Sequence, residues 1–316
     1  MEHIVFLDRD SLMANVRAPA FAHDWQVHGA TTPEQVVERL RKATIAITNK
    51  VPLRADAIAR LPGLKMVAVA ATGTDNVDLA ACRARGIVVS NIRDYSMVSV
   101  PEHCFTLMLA LRRNLVAYRA DVEAGLWQAS SRFCLLDHPI TDLAGSRLGI
   151  VGYGALGRKV AALGRAFGME ICVTARGRVA DPDVLQMPLD ALLRSCDVVT
   201  LHLPLSEQTR HMIGAAELAG MKPGAVLINT ARGGLVDEAA LARVLQTGAI
   251  SAGFDVLSKE PPLPDNPLLG LRLPNFILTP HTAWASSGAQ QILADMLVDN
   301  MEAFVAGTPR NVVNPS

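Results

Sequence analysis

Short runs of β-branched and other apolar residues alternate with helix-period segments along almost the whole chain, and this alternation limits the folds open to it. In the first part, four such runs are predicted strands: Ile4–Asp8, Ile45–Asn49, Met66–Ala71 and Ile87–Ser90. Amphipathic or helical stretches separate them, at residues 33–43, 55–61 and 77–85. Because each helix leads into another strand, the pattern predicts parallel βα units rather than hairpins.

The alternation continues in the second part of the chain. The six predicted strands here are Arg147–Val151, Glu170–Thr174, Val198–Leu203, Ala225–Asn229, Ser251–Asp255 and Phe276–Thr279. Helices fit between them, and six strands separated by helices predict a doubly wound dinucleotide-binding fold. Two long helices are predicted on either side of this series, Val100–Trp127 before it and Ser286–Val305 after it.

The length of the chain, 316 residues, suits two domains. We predict the α/β class with two doubly wound domains. The first, residues 1–98 plus 286–316, is a flavodoxin-like substrate domain that is discontinuous because the last helix returns to it. The second, residues 99–285, is a Rossmann dinucleotide-binding domain.

The composition excludes several classes of function. The chain carries 30 basic and 30 acidic residues, so it has no basic surplus for nucleic acid or an anionic membrane. Its longest apolar runs are strand-sized, which argues against a membrane span, and its N-terminus lacks the basic region of a signal peptide. Five scattered cysteines without a C-x-x-C pair indicate reduced thiols and no metal site. We therefore expect a cytoplasmic protein without a metal.

A glycine motif follows the first strand of the second series directly. In this G-x-G-x-x-G pattern, Gly152 permits a tight turn, Gly154 lets the backbone approach a pyrophosphate, and Gly157 permits close packing of helix and strand. The N-terminus of the next helix, at Ala155 and Leu156, offers N–H groups and a positive dipole to phosphates. The motif predicts a dinucleotide site, and the alternative is a glycine-rich turn without a ligand.

The residues after the next strand bear on the choice of dinucleotide. An NAD site usually has Asp or Glu near this point to bind the ribose 2′-hydroxyl, but the chain has none there. Arg176 and Arg178 follow instead, and Arg176 could pair with a 2′-phosphate. We favour NADP(H) over NAD(H); the alternative is that both arginines are solvated and NAD is used.

Three polar segments follow the last three predicted strands, at residues 229–238, 252–262 and 279–284. Open α/β sheets bind ligands at the carboxyl ends of their strands. Arg232, Glu260 and His281 would supply an anion clamp, a carboxylate partner and a proton donor at that edge.

These segments resemble the D-2-hydroxyacid dehydrogenase family, and the resemblance covers essentially the whole chain. It includes residues 71–78 and the start of the long helix at 100–103. Residues 133–145 are most similar to the glycerate dehydrogenase/hydroxypyruvate reductase branch. Thr72 stands where the phosphite-oxidising branch carries Lys, and Glu260 stands where formate dehydrogenases carry Gln, so we expect neither substrate.

The resemblance implies roles for the polar residues. Arg232 would bind the substrate carboxylate and polarise the 2-oxo group, a task that suits a guanidinium fork. His281 would be the general acid, and Glu260 would hydrogen-bond to it, fix its tautomer and keep it protonated.

Further residues would bind the cofactor or the substrate. Asp255 would orient the nicotinamide carboxamide, and Pro204 and Thr230 would line the cofactor cleft. Backbone N–H groups in the segment formed by Thr72, Gly73 and Thr74 would hold the substrate carboxylate from the other domain.

The expected activity is NAD(P)-dependent reduction of a small 2-oxoacid, hydroxypyruvate or glyoxylate, to a D-2-hydroxy acid or glycolate. A D-lactate or phosphoglycerate dehydrogenase is one alternative, and a non-enzymatic dinucleotide-sensing regulator is another. The apolar Val100–Trp127 stretch and the family resemblance predict a homodimer. The physiological substrate and the direction of flux are left open.

Overall fold

A computed structural model describes residues 1–315 and divides the chain into two units. The first unit comprises Met1–Ser96 with Ala285–Ser316, and the second comprises Met97–Trp284. The sequence predicts these borders at 98/99 and 285/286.

The first unit is built on a sheet of five parallel strands. The strands are β1 (Glu2–Phe6), β2 (His23–Val27), β3 (Ile45–Thr48), β4 (Met66–Val69) and β5 (Val88–Ser90). The helices between them are α1 (Val36–Leu40), α2 (Ala55–Ala59) and α3 (Leu79–Ala84). The strand order β2-β1-β3-β4-β5 is the flavodoxin-like order, and the central strands β3 and β4 are completely buried.

The second unit begins with two helices and contains a sheet of seven parallel strands. The strands are β6 (Arg147–Val151), β7 (Glu170–Thr174), β8 (Leu185–Gln186), β9 (Val198–Leu201), β10 (Val226–Asn229), β11 (Ser251–Phe254) and β12 (Phe276–Leu278). The helices are α4 (Ser99–Arg112), α5 (Leu115–Glu123), α6 (Ala155–Ala166), α7 (Leu189–Ser195), α8 (Ala215–Ala219) and α9 (Glu238–Gln246). The order β12-β11-β10-β9-β6-β7-β8 is doubly wound about β6. The α/β class with two parallel doubly wound sheets is thus confirmed.

Two strands were missed by the sequence analysis. β2 has the sequence His-Asp-Trp-Gln-Val and lies at the edge of its sheet with most residues partly or fully exposed. β8 contains two exposed residues at the edge of the second sheet. Edge strands need no buried apolar run, so neither strand carries the pattern that predicts the central ones.

The prediction of one long helix over Val100–Trp127 is wrong. Asn114 adopts a left-handed conformation with φ of +48°, which a right-handed helix cannot continue, and it separates α4 from α5. Its side-chain amide donates to the carbonyl of Pro139 at 2.5 Å. α4 is an interior helix, whereas α5 leaves Leu115 and Val122 at least half exposed.

The last helix, α10 (Ser287–Val305), belongs to the first unit. The Ser286 hydroxyl caps it by accepting a hydrogen bond from the Ala289 amide at 3.2 Å. Buried Asn300 donates to the carbonyl of Asn91 at 2.9 Å, which fixes the helix beside the end of β5. Within residues 1–315, no helix is long and apolar enough to cross a membrane.

Candidate active site

The glycine loop connects β6 to α6. Gly152 has a φ of +97°, and a Cβ there would lie 2.4 Å from the carbonyl oxygen of His202. A Cβ on Gly157 would lie 2.3 Å from the carbonyl oxygen of Gly152, so both positions exclude a side chain. A Cβ on Gly154 would meet nothing within 4 Å. The loop therefore leaves open space beside Gly154, at the N-terminus of α6, and these residues fit the pyrophosphate of a dinucleotide.

A cavity of about 450 Å³ lies beside this loop and the end of β7. Its lining residues include Tyr153 of the glycine loop, Arg158 of α6, and Arg178 and Asp181 of the segment after β7. Arg176, the arginine singled out in the sequence analysis, lies on the same segment and is exposed. The position of this cavity suits the adenosine end of a dinucleotide.

Asp181 is an acid that the sequence analysis did not consider. Its Oδ2 atom accepts a hydrogen bond from the Tyr153 hydroxyl at 2.6 Å and another from Arg165 at 2.8 Å. The Tyr153 bond and then the Arg165 guanidinium lower the pKa of Asp181 to about 2. The cavity is therefore lined by the carboxylate of Asp181, which lies in the segment after β7, and the neighbouring Arg165 offsets its negative charge.

Three loops at the carboxyl ends of β10, β11 and β12 carry Arg232, Glu260 and His281. These strands are neighbours in a parallel sheet, so their loops lie along one edge. Buried Asn229, at the end of β10, donates to the carbonyl of Arg232 at 2.9 Å and so holds the backbone at this position. A Cβ on Gly233 would lie 2.0 Å from the carbonyl carbon of Leu257, so the first two loops touch backbone to backbone.

His281 and Glu260 form a close pair. The Nδ1 atom of His281 donates to Oε2 of Glu260 at 2.5 Å, and Oε1 of Glu260 accepts from the Leu257 amide at 2.9 Å. The two side chains are 27% and 33% exposed, so both are shielded but reachable. His281 also has a φ of +56°, a strained conformation of the kind that clusters at functional sites. Because Nδ1 faces Glu260, Nε2 is the nitrogen that can face a substrate.

Asp255 fastens the loop that carries His281. It is 1% exposed, and its carboxylate accepts from the Thr279 hydroxyl at 2.5 Å and from the amides of Thr282 and Ala283 at 2.9 and 2.8 Å. His103 of α4 adds to this network, since its Nε2 lies 3.0 Å from the Thr279 hydroxyl. From the sequence alone, His103 is interpreted as a structural residue, because nothing in the spacing relates it to a residue 176 positions away.

Glu238 is a second buried acid that the sequence analysis left without a role. It is the first residue of α9 and is 9% exposed. Its carboxylate accepts hydrogen bonds from the Ser258 amide, the Ser258 hydroxyl and the Asn266 side chain at 2.5, 2.9 and 2.7 Å. It therefore fastens the loop that carries Glu260.

Other residues singled out in the sequence lie at strand ends. Pro204 follows β9, and Thr230 follows β10 with its hydroxyl 3.2 Å from the Cys104 sulfur. Both lie on the edge that carries Arg232 and His281. The segment 72–74 follows β4 in the first unit, where the Thr72 hydroxyl donates to the Ile92 carbonyl at 2.7 Å.

The sequence matches the family model of the NAD-binding domain of D-isomer-specific 2-hydroxyacid dehydrogenases over residues 105–283. A glycerate dehydrogenase from Methylorubrum extorquens is 55% identical over 312 residues, which cover 98% of this chain and 98% of the relative.

Two solved structures share the fold over nearly their full length. An NADPH-dependent glyoxylate/hydroxypyruvate reductase from Sinorhizobium meliloti, in complex with citrate, is 28% identical with a TM-score of 0.84, covering 100% of this chain and 99% of that one. A D-lactate dehydrogenase from Aquifex aeolicus, complexed with NAD and lactic acid, is also 28% identical with a TM-score of 0.84, covering 99% of each chain. The chain therefore belongs to the D-2-hydroxyacid dehydrogenase family of NAD(P)-dependent oxidoreductases.

Proposed function

We propose that this protein reduces hydroxypyruvate or glyoxylate to D-glycerate or glycolate. The observation that carries the proposal is the 2.5 Å pair of His281 and Glu260 on the same sheet edge as Arg232. A proton donor and an anion clamp along one edge suit a 2-oxoacid, which has a carbonyl to protonate and a carboxylate to bind. The name of the glycerate dehydrogenase relative, 55% identical, supports this substrate class.

His281 donates the proton in this proposal. The Glu260 carboxylate accepts from Nδ1 and so holds the imidazole ring with Nε2–H directed at the 2-oxo oxygen. A bound nicotinamide cofactor supplies the hydride for the carbonyl carbon. After the transfer, His281 is neutral and keeps its Nδ1–H bond to Glu260, so the ring orientation is unchanged.

Arg232 binds the substrate carboxylate. Its guanidinium presents two parallel N–H groups to a planar carboxylate, which a lysine ammonium cannot do. The hydrogen bond from Asn229 to the Arg232 carbonyl fixes the backbone position from which the guanidinium extends. We also propose Thr72, Gly73 and Thr74 as substrate-binding residues, which act through their backbone N–H groups.

For the cofactor, the proposal is NADP(H) in preference to NAD(H), with no metal. Arg158 and Arg178 line the cavity at the adenosine end, and the Asp181 charge there is offset by Arg165. Two arginines near a 2′-phosphate favour it, whereas an isolated carboxylate would repel it. Pro204 and Thr230 line the nicotinamide end in this proposal. Asp255 is buried and its carboxylate accepts from Thr279, Thr282 and Ala283, so it supports this end by holding the loop rather than by lining the cleft.

We also propose a homodimer that works in the reducing cytoplasm. Large apolar side chains are exposed along α5 and the segment after it, in particular Trp127, Phe133 and Leu136 at 52%, 92% and 72% exposure. A second copy would cover such a concentration of apolar surface. Sedimentation equilibrium should then give twice the chain mass of 33.8 kDa, and a monomer mass would reject the dimer.

The proposed activity is tested by initial rates of NADPH and NADH oxidation with hydroxypyruvate, glyoxylate, pyruvate and phenylpyruvate. We expect the highest kcat/KM with NADPH and hydroxypyruvate or glyoxylate. A preference for pyruvate would indicate a D-lactate dehydrogenase instead. Cofactor binding without turnover of any of these 2-oxoacids would contradict the proposal and favour a dinucleotide-sensing regulator.

A further inference from the structure

The carboxylate of Glu238 bridges two loops of the candidate active site. Glu238 is the last residue of the segment 229–238, which carries Arg232. All three of its hydrogen-bond donors belong to the loop after β11: the Ser258 amide, the Ser258 hydroxyl and Asn266. Burying a carboxylate is costly unless donors replace its water. These three donors provide that replacement, and in return the carboxylate fixes the backbone at Ser258.

Ser258 is also confined from its other side. A Cβ on Gly233 would lie 2.2 Å from the Ser258 nitrogen, so the backbone of Gly233, next to Arg232, packs directly against the backbone of Ser258. With Glu238 on one side and Gly233 on the other, the backbone at Ser258 has little freedom to shift.

Glu260 follows Ser258 by two residues. Its Oε1 atom accepts from the Leu257 amide at 2.9 Å, and its Oε2 atom accepts from His281 at 2.5 Å. A continuous path of hydrogen bonds and peptide units therefore joins Glu238 to His281 through Ser258 and Glu260. Lengthening the last bond by about 1 Å would leave no hydrogen bond between Glu260 and His281.

We propose that Glu238 is a positioning residue that holds Ser258 so that Glu260 reaches His281. The inference rests on the proposed role of His281 as proton donor. Glu238 acts by its reach and its acceptor oxygens and does not contact the reacting atoms. Misplacing a catalytic group by about 1 Å can cost on the order of a hundredfold in rate.

Three substitutions of Glu238 distinguish an effect of its side-chain length from an effect of its negative charge. Glu238→Gln keeps the length and one acceptor oxygen for the Ser258 amide. Glu238→Asp keeps the charge but is one methylene shorter, and Glu238→Ala removes both. We expect Gln to retain most of kcat, while Asp and Ala lose about ten- to a hundredfold in kcat with cofactor Kd unchanged. Full activity in Asp together with a large loss in Gln would overturn the proposal, because charge rather than reach would then matter.

Glu217→Ala is the matched control. Glu217 lies in the first turn of α8 in the same unit. Within the described residues, its carboxylate accepts only from the Gly214 amide, at 3.0 Å. It has the same chemistry as Glu238 but does not hold the Glu260 loop. We expect its kcat to match that of the unmodified protein even if Tm falls. An equal loss of kcat in both Ala variants would show a general effect of stability and overturn the proposal.

A double-mutant cycle tests the path through Glu260. If Glu238 acts through Glu260, then Glu238→Ala should cost little further kcat in a Glu260→Gln background. An equal additional loss in that background would overturn the inference. If Glu260→Gln alone leaves kcat unchanged, the proposed role of the His281–Glu260 pair fails, and if no 2-oxoacid is turned over at all, the proposed function fails; both results differ from failure of the Glu238 inference.

Discussion

The glycine loop after β6 and the three loops after β10, β11 and β12 lie along the same edge of the second sheet, but they are built differently. At the glycine loop, the features that fit a ligand belong to the backbone: a φ of +97° at Gly152 and open space beside Gly154. At the other loops, side chains form the site, and the buried acids Asp255 and Glu238 hold those loops in place. A site formed by the backbone depends on the absence of a side chain at certain positions, whereas a site formed by side chains depends on partners that are far away in the sequence.

This contrast predicts that substitutions in the glycine loop and substitutions in the loops after β10, β11 and β12 have separate effects. Substitutions at the side-chain end should lower turnover and leave cofactor binding intact. Substitutions at the backbone end should weaken cofactor binding and leave the proton donor in place.

The largest effect is expected for His281→Ala. Removing the proton donor should lower kcat for 2-oxoacid reduction by about 10²–10⁴-fold. The Kd for NADPH, measured by fluorescence titration, should stay within about twofold of the unmodified value, because the glycine loop is untouched. Near-normal turnover in this variant would show that another group protonates the oxygen.

Arg232→Lys should have the next largest effect. The charge is kept but the fork is lost, and a hydrogen bond to a charged group contributes about 1.5–3 kcal/mol, so kcat/KM should fall about ten- to a hundredfold. Arg194→Lys is a suitable control, since Arg194 pairs with Asp190 on the exposed face of α7. Equal kcat/KM in both variants would contradict a bidentate carboxylate contact.

At the backbone end, two glycines form a matched pair. Gly152→Ala must adopt φ of +97° with its Cβ 2.4 Å from a carbonyl oxygen, so we expect a loss of about 1–3 kcal/mol in unfolding free energy, together with weaker NADPH binding. Gly154→Ala meets no atom within 4 Å, so it should keep Tm and weaken NADPH binding alone. Differential scanning fluorimetry and NADPH titration of both variants check this. Unchanged NADPH binding in Gly154→Ala would contradict the assignment of that space to the pyrophosphate.

The smallest effect concerns cofactor selectivity. Arg178→Ala removes an arginine that lines the adenosine-end cavity, and we expect NADPH binding to weaken about tenfold with NADH binding nearly unchanged. Arg176→Ala should act in the same direction, and comparing the two identifies which arginine meets the 2′-phosphate. Equal weakening of NADPH and NADH in both variants would reject the preference for NADP(H).

The same contrast explains how much the sequence could predict. The strand–glycine–helix pattern at residues 147–157 is local, so its structure follows from neighbouring residues. The placement of Arg232, Glu260 and His281 after three strands was predictable because each lies in a recognisable segment at a strand end. The α/β class and the central strands followed from apolar periodicity in the same way.

The features that escaped prediction depend on contacts across long separations. The bond from Glu238 to Ser258 spans 20 positions, and the acid of Asp181 reaches its cavity from a turn beyond β7. The break at Asn114 depends on a contact with Pro139, 25 positions away, so the apolar pattern alone predicted one continuous helix. Only packing in three dimensions reveals such pairs.

Proton donation by His281 depends in this proposal on the Glu260 carboxylate, which orients the imidazole ring through its Nδ1 atom. The most direct test measures kcat with hydroxypyruvate and the Kd for NADPH on the same preparations of the unmodified protein, Glu260→Gln and the control Glu217→Gln. We predict that Glu260→Gln loses at least about tenfold in kcat while both Glu variants bind NADPH normally. An unchanged kcat in Glu260→Gln would contradict the account.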